Sequence, residues 1–224
     1  YPPHPVTPLY AQNEPFASSW GKGGPYQDWR VAASRLGNTV LNGCPRWLVM
    51  VQGVSSAPGA KDQPWDLPTA FPGENLYGAR NAPIQLSDQT KLVYAPRTHG
   101  PRFGFQRNSR FDAGDFPANM PNVWHVTFGF AQREHGGVPI ILSSLSDGVA
   151  DVTSRKYLTW AASYAAELGF GAFCADLNPP RVDGDTNEAG GLLQADWTTI
   201  QEARTSVPPQ PIPRPTTAHT PPHR

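Results

Sequence analysis

The chain is short of charge. Only 16% of its 224 residues are Asp, Glu, Lys or Arg, against about 25% in an ordinary soluble domain. Eighteen basic and 18 acidic side chains cancel. A nucleic-acid or anionic-membrane partner calls for a basic footprint, and zero net charge supplies none. Long apolar runs are also missing, none approaching the roughly 20 residues that span a bilayer. Cysteine is reduced to Cys44 and Cys174, and no Asn-X-Ser/Thr acceptor occurs. The six histidines (4, 99, 125, 135, 219 and 223) are scattered, without metal-ligand spacing. No metal and no cofactor is expected. Gly21-Lys22-Gly23-Gly24 lacks the strand-to-helix context of a phosphate loop. The serines at 143–146 do not sit in a Gly-X-Ser-X-Gly elbow. What the chain has in quantity is aromatic: 7 Trp, 7 Tyr and 10 Phe. Low charge with many flat rings suits a sugar-binding surface, because such rings stack on the apolar faces of pyranoses. The same rings would also serve a large core.

Periodicity predicts strands alternating with helices. Trp29, Ala32, Ala33, Leu36 and Val40 share one face of a helix over 26–42. Trp47-Leu48-Val49-Met50-Val51 is a continuous apolar run, the pattern of a strand covered on both faces. After a Pro/Gly-rich loop at 55–72, Leu92 to Ala95 reads as a second such strand, closed by Pro96. A helix over 124–134, a strand over 138–142, a helix over 154–168 and a strand over 170–175 follow. Ser154 is a candidate N-cap and Gly169 a candidate C′ residue. Leu192 to Thr205 is the last helix candidate. Alternation of this kind means βαβ units and a parallel sheet. Residues 1–8 are proline-rich and form no regular element. Residues 206–224 are rich in Pro and Thr and are expected to be disordered or polyproline-like, as a linker or a Pro-rich ligand.

Several short motifs fall in an informative order. Asn13-Glu14-Pro15 follows the apolar stretch Leu9-Tyr10-Ala11 and precedes a Gly/Ser/Trp loop. A carboxylate at a strand end, beside an amide and fixed by a proline, is how a β/α barrel presents a general acid/base on its top face. Trp20-Gly21, Asp28-Trp29-Arg30, Glu74-Asn75-Leu76-Tyr77-Gly78-Ala79-Arg80, Asn119-Met120-Pro121 and Gly169-Phe170-Gly171 come next. Asn178-Pro179, Gly184-Asp185-Thr186 and Gly190-Gly191-Leu192-Leu193 close the series. In this order they resemble the cellulase-like glycoside hydrolases of family five, from about Leu9 to about Ala203.

The resemblance implies an α/β fold, the C-terminal part (strands four to eight) of a (β/α)8 barrel occupying residues 9–205. It implies hydrolysis of β-1,4-glucan by a retaining mechanism, which needs two carboxyl groups about 5–5.5 Å apart. Glu14 matches the acid/base, and Asn13 the neighbour that holds the sugar 2-hydroxyl. Trp20, Trp65 and His99 are expected to line the cleft. Ser144 stands where the family's nucleophilic glutamate belongs, and an alcohol cannot act as a leaving-group-stable carboxylate. Arg97 and His99 replace the His and Tyr that support that nucleophile, and Phe71-Pro72 the usual Trp-Trp. With Cys44 at the bottom of the barrel and Cys174 near the top, a strand length of roughly 17–20 Å keeps the two sulfurs from pairing. The readings that follow are an impaired hydrolase, a glucan-binding pseudoenzyme, or an incomplete gene model. In the last, the exposed sheet edges would pair with another chain. Family kinship alone implies an extracellular location.

Overall fold

A computed structural model describes residues 18–21, 28–55, 70–102, 110–147, 152–174, 177–178, 191–200 and 202. The expected strand at Leu9-Tyr10-Ala11 and both proline-rich ends lie outside the described residues.

Helix α1, Trp29–Gly43, begins where Asp28 caps it, its carboxylate accepting from the Val31 amide. The helix buries Trp29, Ala33, Gly37 and Leu41, a strict i+4 row. Leu36 and Val40, expected on the buried face, are about two-fifths exposed. The contact stripe is thus narrower than the apolar stripe. Strand β1 is only Val49–Val51. Trp47, Leu48 and Met50 are exposed, which corrects the expectation of a strand covered on both faces. The one strand hydrogen-bonded to β1 among the described residues is β2, Leu92–Tyr94, so its other edge and one face lack a cover of described strands.

Strand β2 stops at Tyr94, short of Pro96, as expected. Pro96 cannot donate to the ladder, but its carbonyl accepts from the Ser143 amide at 2.9 Å. Pairing resumes in β3, Arg97–His99. Helical structure starts at Met120 rather than Trp124. It runs as α2, Met120–Trp124, a π-turn, His125–Gly129, and α3, Phe130–Glu134. Pro121 in the first turn favours that earlier start. Strand β4 is Ile141–Ser146, later than the 138–142 expected. Pro139 cannot join the ladder as a donor, although its carbonyl accepts from the Tyr94 amide at 3.0 Å.

Helix α4, Val152–Leu168, begins two residues before the expected cap, so Ser154 lies in its first turn. Gly169, at φ +70°, ends it. The Phe170 amide reaches back to the Ala165 carbonyl at 2.8 Å and Gly169 to Ala166, closing the helix as a left-handed C′ residue does. Strand β5, Gly171–Cys174, is exposed along its whole length, against the expectation of burial; among the described residues only β4 pairs with it. Leu193 and Ile200 form an antiparallel bridge, which excludes the expected helix over 192–200, while Glu202 beyond it is helical. Asp196 is the local reason. Its carboxylate accepts from the Thr198 and Thr199 amides, offering the backbone an alternative to helix. Cys44 and Cys174 are both free.

All strand pairings are parallel: β1 with β2, β3 with β4, and β4 with β5. A parallel bridge from Tyr94 to Ile140 joins the two ladders. The result is one curved run of consecutive strands, backed by α2, α3 and α4. The core between them is aromatic. Trp124, Phe128, Tyr157 and Tyr164 are fully buried, with edge or tilted ring contacts at 5.2–6.4 Å. This is the architecture of consecutive units in a (β/α)8 barrel.

Candidate active site

In such a barrel the chemistry sits at the C-terminal ends of the strands. Those ends here are Gln52 to Val54 after β1, His99 closing β3, and Ser146 to Asp147 at the end of β4. The loop 70–76 is stitched across them. Gly53 donates to the Gly73 carbonyl at 2.9 Å, and Val54 and Asn75 exchange both backbone bonds at 2.9 Å. Gly53 is required there, since a Cβ would lie 2.5 Å from the Asn75 carbonyl oxygen. Asn75 also accepts from the Tyr77 amide, starting a 3-10 turn over Tyr77–Arg80.

Strand register sets the side chains at the mouth. Arg97 lies beside Ser144, and His99 beside Ser146. Alternation puts Arg97 and His99 on one face of the sheet and Thr98 on the other. His99 is buried, with its ring 4.3 Å from that of Phe71. The Arg97 guanidinium carbon lies 5.7 Å from the same Phe71 ring. Burial, with Arg97 and Arg110 nearby, lowers the His99 pKa to about 3, so the imidazole stays neutral at neutral pH. Ser144 is 8% exposed. The hydroxyl of the preceding Ser143 donates to the Ala95 carbonyl at 2.8 Å and accepts from the Gln52 amide group at 3.3 Å. Asp147 is fully buried and accepts from the Arg102 amide. Gly100 leaves room for that carboxylate, which a Cβ would strike.

Behind this mouth lies a polar cluster that sequence reasoning missed. Glu74 and Arg110 form a salt bridge at 2.8 Å with side chains 0% and 2% exposed. The same carboxylate accepts from the Phe71 amide at 2.8 Å and from the Thr98 hydroxyl at 2.9 Å. Thr98 is 2.7 Å from the Tyr157 hydroxyl on α4. Burial, then the nearby Glu74 charge, raises the Tyr157 pKa, keeping the phenol protonated. With Thr98 donating to Glu74, the phenol is the donor to Thr98. Nothing in the sequence pairs Glu74 with a residue 36 positions on. Glu74 stood within a motif that carried only the family resemblance.

The expected site residues fare differently. Ser144 and His99 do come together on adjacent strands at the mouth. Trp20 is 4% exposed and belongs to the core, its indole N–H donating to the Ala82 carbonyl at 2.7 Å. It packs so closely on Gly78 that a Cβ there would lie 2.7 Å away. A ring buried and satisfied in this way is not a platform for sugar, which corrects the placement of Trp20 in the cleft. Glu14, Asn13 and Trp65 lie outside the described residues. Among the described residues no group of three or more His, Cys, Asp or Glu side chains could hold a metal ion.

The fold and the position of the mouth define the class: consecutive units of a β/α barrel of the kind that carries its site at the strand ends. No family model matches the chain. Individual relatives do. The chain is 34% identical over 191 residues to an endoglucanase of Paenibacillus polymyxa, covering 84% of this chain and 45% of that protein. It is 30% identical over 206 residues to the major extracellular endoglucanase of Xanthomonas campestris, covering 90% and 40%. The solved catalytic domain of the Xanthomonas campestris enzyme superposes with a TM-score of 0.73 at 26% identity, over 85% of this chain and 52% of that one. An endocellulase from Pyrococcus horikoshii, solved with cellotetraose, gives 0.72 at 29%, over 85% and 50%. The chain therefore spans about half the length of the relatives it matches. Over that span it is similar to the endoglucanases, a likeness consistent with the cellulase-like glycoside hydrolases.

Proposed function

We propose that this chain carries the C-terminal side of a β-1,4-glucan cleft whose hydrolytic chemistry is impaired at Ser144. The observation that carries the reading is the likeness to endoglucanase catalytic domains over 85% of the chain, strand ends included. A retaining glycosidase protonates the leaving oxygen with one carboxyl group while the other attacks the anomeric carbon. Glu14 is assigned the acid role, with Asn13 beside it for the 2-hydroxyl. The attacking group is assigned to position 144. There the serine hydroxyl has neither the negative charge nor the leaving ability that the glycosyl intermediate needs. Trp65 is assigned to the sugar-lined loop.

A non-catalytic glucan-binding role is the second reading, and Ser144 is the observation that favours it. Two further assignments belong here. The location is extracellular, supported by the name of the Xanthomonas relative. The β5 edge and the β1 side, with Phe173 at 59% and Trp47 at 63% exposure, are assigned to strand pairing with further chain. Among the described residues no helix is long and apolar enough to cross a membrane.

The test is Ser144→Glu, assayed for release of reducing ends from cellotetraose. A carboxylate at 144 should raise the rate at least tenfold over the parent chain, and Glu14→Gln in that background should abolish the gain. If Ser144→Glu binds cellotetraose but adds no turnover, the binding reading replaces the hydrolase reading. If the folded parent shows no shift in melting temperature with millimolar cellopentaose, both readings are wrong. At 100 times its dissociation constant a ligand adds about 2.7 kcal/mol.

A further inference from the structure

The buried cluster behind the mouth spans four segments distant in sequence. Glu74 lies in the loop after β1, Thr98 in β3, Arg110 in the segment before α2, and Tyr157 on α4. A carboxylate and a guanidinium removed from water are costly to keep, and a well-packed apolar pair of similar volume often does as well for stability. The geometry shows what else this pair does. Glu74 is bonded at once to the Phe71 amide, the Thr98 hydroxyl and Arg110. Thr98 immediately precedes His99, on the opposite face of β3. One carboxylate thus fixes both partners of the Phe71–His99 ring contact, by the backbone of one and the strand neighbour of the other. Phe71 is half-buried, so the residue held against His99 keeps part of its surface open to solvent.

We propose that Glu74 is a positioning residue of the cleft: with Arg110, Thr98 and Tyr157 it locks Phe71 against His99 and so sets the aromatic wall on which a sugar ring rests. The proposal builds on the glucan reading for its ligand. Its geometric half is independent of that reading. The Glu74 carboxylate does not touch substrate. It acts through Phe71, whose amide it holds in place, and through Arg110, which it neutralises.

The experiment compares two paired replacements. Glu74→Leu with Arg110→Met removes both charges and all the bonds to Phe71 and Thr98 while keeping apolar volume. Glu74→Gln with Arg110→Gln removes the charges but leaves an amide whose carbonyl accepts from the Phe71 amide and whose NH2 donates to the Thr98 hydroxyl. Two readouts are taken on each: the ring proton shifts of His99 by NMR, and the dissociation constant for cellotetraose by calorimetry. Phe71→Leu supplies the reference shifts for His99 without the ring. The apolar pair should move the His99 shifts toward that reference and weaken cellotetraose about tenfold. The polar pair should leave both within about twofold of the parent. A milder change, Thr98→Val, breaks the link to Tyr157 and should move the His99 shifts in the same direction, so the question is decided even if the apolar pair does not fold. Unchanged His99 shifts and affinity in the apolar pair, or unchanged shifts in Thr98→Val, overturn the proposal. If the parent binds no cellotetraose while the His99 shifts move as expected, the glucan reading falls and the positioning role stands.

Discussion

Replacing Arg110 by Met alone is the sharpest test of the buried pair as a structural element. The Met side chain fills much of the space but leaves the Glu74 carboxylate at 0% exposure with no guanidinium beside it. Two hydrogen bonds to the carboxylate survive, from the Phe71 amide and the Thr98 hydroxyl. They do not replace a full countercharge. Breaking a buried ion pair at one partner typically costs about 3–5 kcal/mol. For a chain of this size each kcal/mol lowers the melting temperature by about 2–4 °C, so the expected fall is roughly 6–20 °C. Folded domains are stable by about 5–15 kcal/mol, so Arg110→Met should still fold, with a much reduced margin. The assay is reversible denaturant unfolding followed by the buried Trp124, with Arg110→Met compared to the neutralised double variant Glu74→Gln with Arg110→Met. The double variant should recover most of the loss. A loss below about 1 kcal/mol in Arg110→Met would refute the reasoning, because it would mean that water or another donor reaches the carboxylate. An equal loss in the double variant would refute it too, since packing rather than charge would then be the cause.

Two further outcomes follow from the same structure. His99 has a folded pKa of about 3 against about 6.5 for a free imidazole. The folded state therefore binds fewer protons than the unfolded one. Stability from this group is fully present above about pH 6.5 and is lost as pH falls toward 3, at up to about 1.4 kcal/mol per pH unit. His99→Gln should flatten the acid limb of the stability profile relative to the parent, and parallel profiles would count against a buried neutral imidazole. Asp28→Ala removes the cap of α1 and the bond its carboxylate accepts from Gly21. It should cost about 1 kcal/mol in urea unfolding, and no change would mean the α1 terminus is held by other contacts.

The type and order of the main elements were legible in the chain, because period and punctuation are local. α1, α4, β1, β2 and β5 each overlap the segment whose apolar pattern announced them, and Gly169 ends α4 as its position suggested. Boundaries were less legible where a single residue type acts through tertiary hydrogen bonding. Pro96 reads as a strand end, yet the ladder resumes one residue later because its carbonyl still pairs. Leu192 to Thr205 reads as helix, yet over 192–200 Asp196 claims the backbone amides. Of the site, Ser144 and His99 were assigned to the mouth from motif order and do sit on neighbouring strands. Trp20 was assigned to the cleft because a Trp in a Gly/Ser loop can be either platform or core, and nothing local separates the two.

By itself the sequence determined a parallel β/α pattern, neutral in charge, and a resemblance to cellulases, from which Ser144 is assigned to the nucleophile's place. Those are matters of residue identity and spacing along the chain. The tertiary structure alone decided which apolar residues are covered, since Met50 and Phe173 are exposed while Tyr157 is buried against the rings of Phe111 and Trp124. It alone paired Glu74 with Arg110 across 36 residues. A salt bridge between segments is fixed by how strands, helices and loops pack in space, and no periodicity in the chain encodes that distance.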